Sequence, residues 1–137
     1  MVDYRILHDF REIEHLRRKA FEITSMLDYF ENNLKEGKMV AVGAYLDGKL
    51  IGGAYISSSM HSLYIEQLFV NKEYQHQGIG SNIVRYILNN KGYFEKYFNE
   101  KYIYSKTEPS SDEALKMLEN LGYKKADDAL DTMRKYI

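Results

Sequence analysis

The sequence predicts a single mixed α/β domain over residues 1–137, and three observations carry that prediction. Short β-rich runs alternate with segments of helical apolar spacing. An Asp47-Gly48 pair separates two of the β-rich runs. The stretch Ile65–Ser81, IEQLFVNKEYQHQGIGS, passes from an apolar strand through a glycine-bearing turn into a helix. The predicted order is β-α-α-β-β-β-α-β-α-β-β, with hairpins early and crossovers late. No repeat, low-complexity stretch or linker marks a second domain.

Val2 to Leu7 alternates and predicts a strand. Phe10 to Thr24 places Phe10, Ile13, Leu16, Ala20 and Phe21 on one helical face. A second helix is expected over Ser25 to Lys35, capped by Ser25 and stopped by Gly37. Met39 to Leu46 and Leu50 to Ser57 form a hairpin across Asp47-Gly48, a pair that tolerates the positive φ of a tight primed turn. SSSMHS reads as the loop to a third strand, Leu63 to Val70. The helix after Gly80 runs to about Asn90 with Ile83, Val84, Ile87 and Leu88 on one face, and Gly92 interrupts it. YFEKYFNE adds a helical turn or two, and Tyr102 to Ser105 is a strand. Pro109 then breaks the chain, Ser110 or Ser111 caps a helix over Asp112 to Asn120, and Gly122 ends it. Two strands close the chain, near Tyr123 to Ala126 and Leu130 to Tyr136. The crossover from the Leu63 strand to the Tyr102 strand makes those two parallel neighbours.

Composition narrows the function classes. Hydrophobic residues make up 45% of the chain and charged residues 28%, which permits a packed core and argues against disorder. A net charge of −1 argues against a nucleic-acid binder, which needs a basic surplus; the weak stretch Arg17-Arg18-Lys19 is the only counter-signal. There is no cysteine, so disulfides, thiolate metal sites and a cysteine nucleophile are excluded. No apolar run reaches membrane-spanning length and no signal-peptide pattern opens the chain, so a cytoplasmic protein without membrane association is expected. The four histidines lack metal-ligand spacing, and no metal is expected. The 13 tyrosines are read as ordinary packing residues.

The turn after Val70 is the chemically informative segment. Gly78 and Gly80 let the backbone bend and approach a ligand closely, and the following helix start aims unpaired N–H groups at one point. Such a site suits a phosphate-bearing ligand. A dinucleotide fingerprint fails because its third glycine position is Ile83, and no P-loop pattern exists. What remains, Gln75-x-x-Gly78-x-Gly80 after a strand, resembles the pyrophosphate loop of the GNAT superfamily of N-acetyltransferases. YLDGKLIGGAYI, LYIEQLFVNKEYQHQGIG and EALKMLENLGYKK resemble that family's second hairpin, central strand with loop, and last helix, so the resemblance covers essentially the whole chain.

The resemblance implies a GNAT-like fold: a mostly antiparallel sheet splayed at the cofactor-binding strand and flanked by helices. It implies acetyl-CoA as cofactor. Leu68, Phe69 and Val70 would pair with the pantetheine arm through main-chain groups. Gln75, His76, Gln77, Gly78, Ile79, Gly80 and Ser81 would hold the pyrophosphate, and Ser111 would stand where many members carry an arm-contacting Asn. The implied activity is acetyl transfer to a primary amine, with a small-molecule amine as acceptor.

Amine acetylation needs a base to free the nitrogen lone pair. Glu66, a charged residue in an apolar strand, is the candidate. IEQLFV resembles the strand of small-amine acetyltransferases in which the matching Glu is a water-linked base. His61 and His76 are rivals by residue type. The family's proton-donating Tyr is missing: aligning Ala114 with the family Ala places Met117 and Leu118 at its Phe-Tyr pair. Another tyrosine such as Tyr104 or Tyr123 supplies the proton, water does, or the chain is an acyl-CoA-binding module without efficient transfer. An exposed terminal strand favours a homodimer.

Overall fold

The computed structural model of the chain describes residues 1–7, 9–21, 27–127 and 131–137. The expected Ser25 cap, the Thr24 helix end, the Leu130 strand start and His8 lie outside the described residues, as do the side chains of Phe10, Ala20, Phe21 and Asp28. The elements are β1 (Val2–Leu7), α1 (Phe10–Phe21), α2 (Leu27–Lys35), β2 (Met39–Leu46), β3 (Lys49–Ser59), β4 (Ser62–Val70), α3 (Ile79–Asn89), α4 (Lys91–Phe98), β5 (Tyr104–Thr107), α5 (Asp112–Asn120), β6 (Lys124–Lys125) and β7 (Met133–Tyr136). Among the described residues no helix is long and apolar enough to cross a membrane.

Among the described residues the strands form one seven-stranded sheet in the order β1-β2-β3-β4-β5-β7-β6. Every neighbouring pair is antiparallel except β4 and β5, the parallel pair that the crossover predicts. Asp47 and Gly48 both take positive φ, 50° and 79°, as the hairpin signal requires. The SSSMHS segment differs from expectation. β3 continues to Ser59 and β4 begins at Ser62, so only Met60 and His61 turn, both at positive φ (47° and 63°). The turn signal was hidden because neither residue is Gly or Asn. Gly92 lies inside α4 rather than between two helical runs, and β5 starts two residues later than Tyr102, which is instead buried in the core.

Two cores flank the sheet. On one face Ile83, Val84 and Ile87 of α3, Phe94 of α4 and Leu118 of α5 pack on Val40, Val42, Ile56, Leu63 and Ile65. On the other, Ile13 and Leu16 of α1 and Phe30 of α2 pack on Ala41, Tyr55 and Phe69. β2 and β3 are therefore buried on both faces, which explains their nearly unbroken apolar runs. The second core also holds a polar cluster. Arg17, 1% exposed, donates from Nε to Glu14 Oε1 at 3.2 Å and from Nη1 to Gln67 Oε1 at 3.2 Å, and its guanidinium lies over the Phe30 ring. Tyr55 donates its hydroxyl to Glu14. Arg17, read in the sequence as part of a weak basic stretch, is thus an interior residue and no part of a charged surface.

Buried tyrosines make the fold alkali-sensitive. Burial pushes the Tyr123 phenol up to about 12, although the Ser105 hydroxyl at 2.7 Å pulls the other way. An unfolded tyrosine titrates near ~10. The folded state therefore holds this proton where the unfolded state has lost it, and the stabilisation present below pH ~10 disappears as pH rises through 12. Thermal melts from pH 9 to 12 are expected to show Tm falling across that window, more gently in Tyr123→Phe. A flat Tm to pH 12 would refute the assignment.

Candidate functional site

The site is built around the second half of β4. β5 pairs with β4 only from Ser62 to Ile65, where Thr107 closes the ladder by donating its hydroxyl to the Ile65 carbonyl at 2.9 Å. Pro109 follows two residues on, and the chain turns away. Beyond Ile65 no described strand pairs with this edge of β4, while its other edge stays paired to β3 as far as Val70. The sheet is splayed here, and Leu68, Phe69 and Val70 line the opening.

The β3–β4 register shifts at the same place. Ile56 opposes Ile65 and Tyr55 opposes Gln67, so Glu66 is the extra residue of a β-bulge. The bulge inverts side-chain parity: Leu63 and Ile65 belong to the α3 core, and so do Leu68 and Val70, three and five residues past Ile65. That skip is visible in the sequence as apolar residues at 63, 65, 68 and 70, the one signal that could have located the bulge. Across the skip, Glu66 lines a pocket under α2, and Gln67 is held by Arg17 of α1.

After β4, Asn71 organises the turn. Its amide donates to the Ile51 carbonyl at 2.7 Å, and its side chain accepts from the Glu73 amide, starting a 3₁₀ turn over Lys72–Tyr74. Gln75 donates its side-chain amide to the Val70 carbonyl at 2.9 Å, tying the loop back to the strand. Gly78 takes φ 78° and caps α3 with no side-chain hydrogen bond, leaving the first-turn N–H groups facing outward. A Cβ on Gly80 would sit 3.3 Å from Met117 Sδ, so the glycine keeps the space between α3 and α5 open. The result is a cleft of about 710 Å³ running from Leu68 past Gly80 to the first turn of α5.

Of the residues predicted to contact a cofactor, Leu68, Phe69, Val70, Gln75, His76, Gly78, Ile79, Gly80, Ser81 and Ser111 line this cleft together; Gln77 lies in the loop outside the lining. Ser111 also caps α5, its oxygen accepting from the Ala114 amide at 3.1 Å. The sequence reading missed Tyr74, Ser110, Glu113, Ala114 and Met117 in the lining. His76 is at φ 65° and its ring lies 2.7 Å from Glu113 across the mouth of the cleft, a pairing that no local pattern announces. On α5, Met117 faces the cleft while Leu118 is buried in the core. Tyr123 is buried against Ser105, and Tyr104 meets Tyr136 on the far part of β5, so neither lines the cleft. His61 sits in the β3–β4 turn beside Glu100 and lines neither pocket.

Glu66 opens onto a second pocket of about 410 Å³. Tyr29 of α2 donates its hydroxyl to Glu66 Oε1 at 2.8 Å. Tyr29 is 40% exposed overall, but its hydroxyl end is held against the carboxylate. Burial, then the hydrogen bond to and charge of Glu66, push its phenol up to about 12, so it stays a donor at neutral pH. Burial and the Glu108 carboxylate likewise push Tyr64, on the same pocket wall, well above the usual phenol range. The strand thus presents an unpaired, anion-ready cleft along one stretch and a carboxylate-bearing pocket at the bulge that precedes it. Among the described residues no cluster of His, Asp and Glu could hold a metal ion.

A sequence model described as the acetyltransferase (GNAT) family matches residues 6–123. No curated protein matches the chain in sequence. Among solved structures, the ribosomal-protein-S18-alanine N-acetyltransferase of Escherichia coli is similar with TM-score 0.78 and 18% identity, covering 100% of this chain and 94% of that one. The PaiA N-acetyltransferase of Thermoplasma acidophilum, solved in complex with coenzyme A, matches with TM-score 0.69 and 17% identity over 100% and 99% of the two chains. A GNAT family acetyltransferase of Elizabethkingia anophelis, solved with acetyl-CoA bound, matches with TM-score 0.74 and 15% identity over 99% and 98%. At these identities the likeness is one of fold.

Proposed function

The chain belongs to the acetyltransferase (GNAT) family, and from that premise we propose that it transfers an acetyl group from acetyl-CoA to a primary amine of a small molecule, with Glu66 as the base. The observation that carries the reading is the unpaired edge of β4, with the loop and α3 N-terminus at one end and Glu66 at the other.

The residues fit the cofactor. Main-chain groups of Leu68 to Val70 offer an edge for an extended amide-bearing arm. The amides of Ile79, Gly80 and Ser81 offer donors for a diphosphate, helped by the helix dipole. The Gln75 side chain is engaged with Val70, so Gln75 acts in the loop by holding its shape. Ser111 keeps a hydroxyl proton to donate. When bound, acetyl-CoA supplies an acyl thioester as electrophile and a thiol as leaving group. Glu66 then does the protein's own proton work: Tyr29 occupies Oε1, which leaves Oε2 to receive the amine proton directly or through a water. No phenol stands on the α5 wall, where Met117 lines the cleft. Solvent returns the proton to the thiolate, whose ordinary pKa near ~8.5 demands little assistance.

Tyr29→Phe is expected to lower kcat about tenfold, the worth of one hydrogen bond to a charged group, without changing acetyl-CoA affinity. An unchanged kcat would remove Tyr29 from the site.

The same α5 wall favours a second reading, an acyl-CoA-binding module without turnover. Thermal-shift titration with acetyl-CoA, CoA and NAD, followed by thiol release over an amine panel, separates the readings. Stabilisation by CoA with turnover supports the first, and stabilisation without turnover on any amine supports the second. Stabilisation by NAD alone refutes both, because a native-state ligand must raise Tm by mass action. β1 and β6 are the open edges of the sheet. A homodimer through one of them belongs to this proposal, and sedimentation showing only monomer would dismiss it.

A further inference from the structure

The acceptor-side pocket has a lining that acetyl transfer alone does not require. Tyr29 and Asn33 enter it from α2, Ser57 and Ser59 from β3, and Tyr64 and Glu66 from β4. No Leu, Ile, Val, Met or Phe is among its described lining residues, whereas the neighbouring cofactor cleft takes Leu68, Phe69, Val70, Ile79 and Met117. The two pockets share a strand and have opposite chemistry.

Part of this polarity is already satisfied. Tyr29 donates to Glu66, Tyr64 donates to Glu108 Oε1 at 3.0 Å, and Asn33 Nδ2 donates to the Tyr29 carbonyl at 2.7 Å. The Ser57 and Ser59 hydroxyls and Asn33 Oδ1 make no hydrogen bond with the described residues. Register sets Ser57 between Met39 and Tyr64 in mid-sheet, so its hydroxyl stands on the pocket floor. Lys38 stands on the rim, paired among the described residues with the exposed Glu36 at 3.0 Å, a contact cheap to exchange. A ligand that covers these groups with hydrocarbon strands them without partners, and one that carries its own donors and acceptors does not.

Building on the acetyl-transfer reading, we propose that the acceptor is a small hydrophilic amine whose skeleton carries hydroxyl or carboxylate groups close to the nitrogen, and that Ser57, Ser59 and Asn33 select it over alkyl and aryl amines. The nitrogen lies at Glu66, the hydroxyls at the serines and Asn33, and a carboxylate, where present, at Lys38.

The test sets hydroxylated amines against alkyl and aryl ones: ethanolamine against propylamine, 2-amino-1,3-propanediol against 3-aminopentane, and serine against phenethylamine. kcat/KM is expected to favour the hydroxylated member by at least about 10²-fold, since a site built to bind hydroxyls rejects the analogue without them. Ser57→Ala is expected to narrow that ratio about tenfold, mainly through KM. Ser59→Ala, at the exposed end of β3, gives the same readout should Ser57→Ala fold poorly. Equal or faster turnover of the alkyl and aryl amines overturns the proposal. Stabilisation by acetyl-CoA with no turnover of any amine refutes the acetyl-transfer reading instead. The pocket is then read by calorimetric titration of the same amines into the CoA-loaded protein. Tighter binding of the hydroxylated members sustains the selectivity; reversed order, equal affinity or no binding overturns it.

Discussion

Replacing Glu66 with Gln is expected to lower kcat by about 10²–10⁴-fold, the ordinary worth of a positioned general base, while acetyl-CoA binds as before. Gln keeps the size of the side chain and can still accept from Tyr29, so the β4 bulge and the pocket should hold their shape. What it loses is the capacity to take a proton at Oε2. The loss should be concentrated in kcat, because the cleft proposed for the cofactor begins two residues further along β4 at Leu68. Raising the pH to deprotonate the amine in solution should recover part of the rate. Steady-state kinetics with the best acceptor of the panel read the effect, alongside a thermal-shift titration with acetyl-CoA. A variant within threefold of the parent at neutral pH would exclude Glu66 as the base.

Arg17→Met is expected to destabilise the fold by about 3–5 kcal/mol, because it leaves Glu14 as an uncompensated buried charge. Arg17 and Glu14 are 1% and 6% exposed, and Glu14 Oε2 has no hydrogen-bond partner among the described residues even with Arg17 in place. Native domains hold roughly 5–15 kcal/mol in total, so this is a large share. Adding Glu14→Gln should restore much of the loss, since it removes the stranded charge. Met in place of Arg17 still fills space against Phe30, whose ring lies 4.8 Å from the guanidinium carbon. Urea melts of both variants read this directly; a loss below about 1 kcal/mol would show that the ion pair carries no net weight. The same change frees Gln67, the neighbour of Glu66, so the single variant should lose kcat as well as stability.

Several parts of this protein were legible before folding was considered. Asp47-Gly48 announced its hairpin because only a few residue types accept consecutive positive φ. The Ser110-Ser111 pair announced a helix cap, and Ser111 makes it by accepting from the Ala114 amide. The glycine loop announced itself because close backbone approach and a left-handed turn exclude most side chains. Other parts were silent. Met60 and His61 make a tight turn with residues that carry no turn signal. Met117 and Leu118 are adjacent in sequence, yet one lines the cleft and the other enters the core. Arg17 looked like surface charge until α1 was laid against β3 and β4.

By itself the sequence determined the order of the elements except for α4 as a helix of its own, the glycine loop and the carboxylate in the central strand. These depend on local terms: periodicity, backbone φ and the chemistry of single residues. Only the tertiary structure decided that β5 stops at Thr107 and leaves β4 open, that the bulge at Glu66 turns its carboxylate toward α2, and that Tyr29 meets it there. Tyr29 and Glu66 are 37 residues apart, and no local pattern encodes such a meeting. It arises when two faces of one sheet are covered by different helices, and the burial of apolar surface chooses which side chains come together.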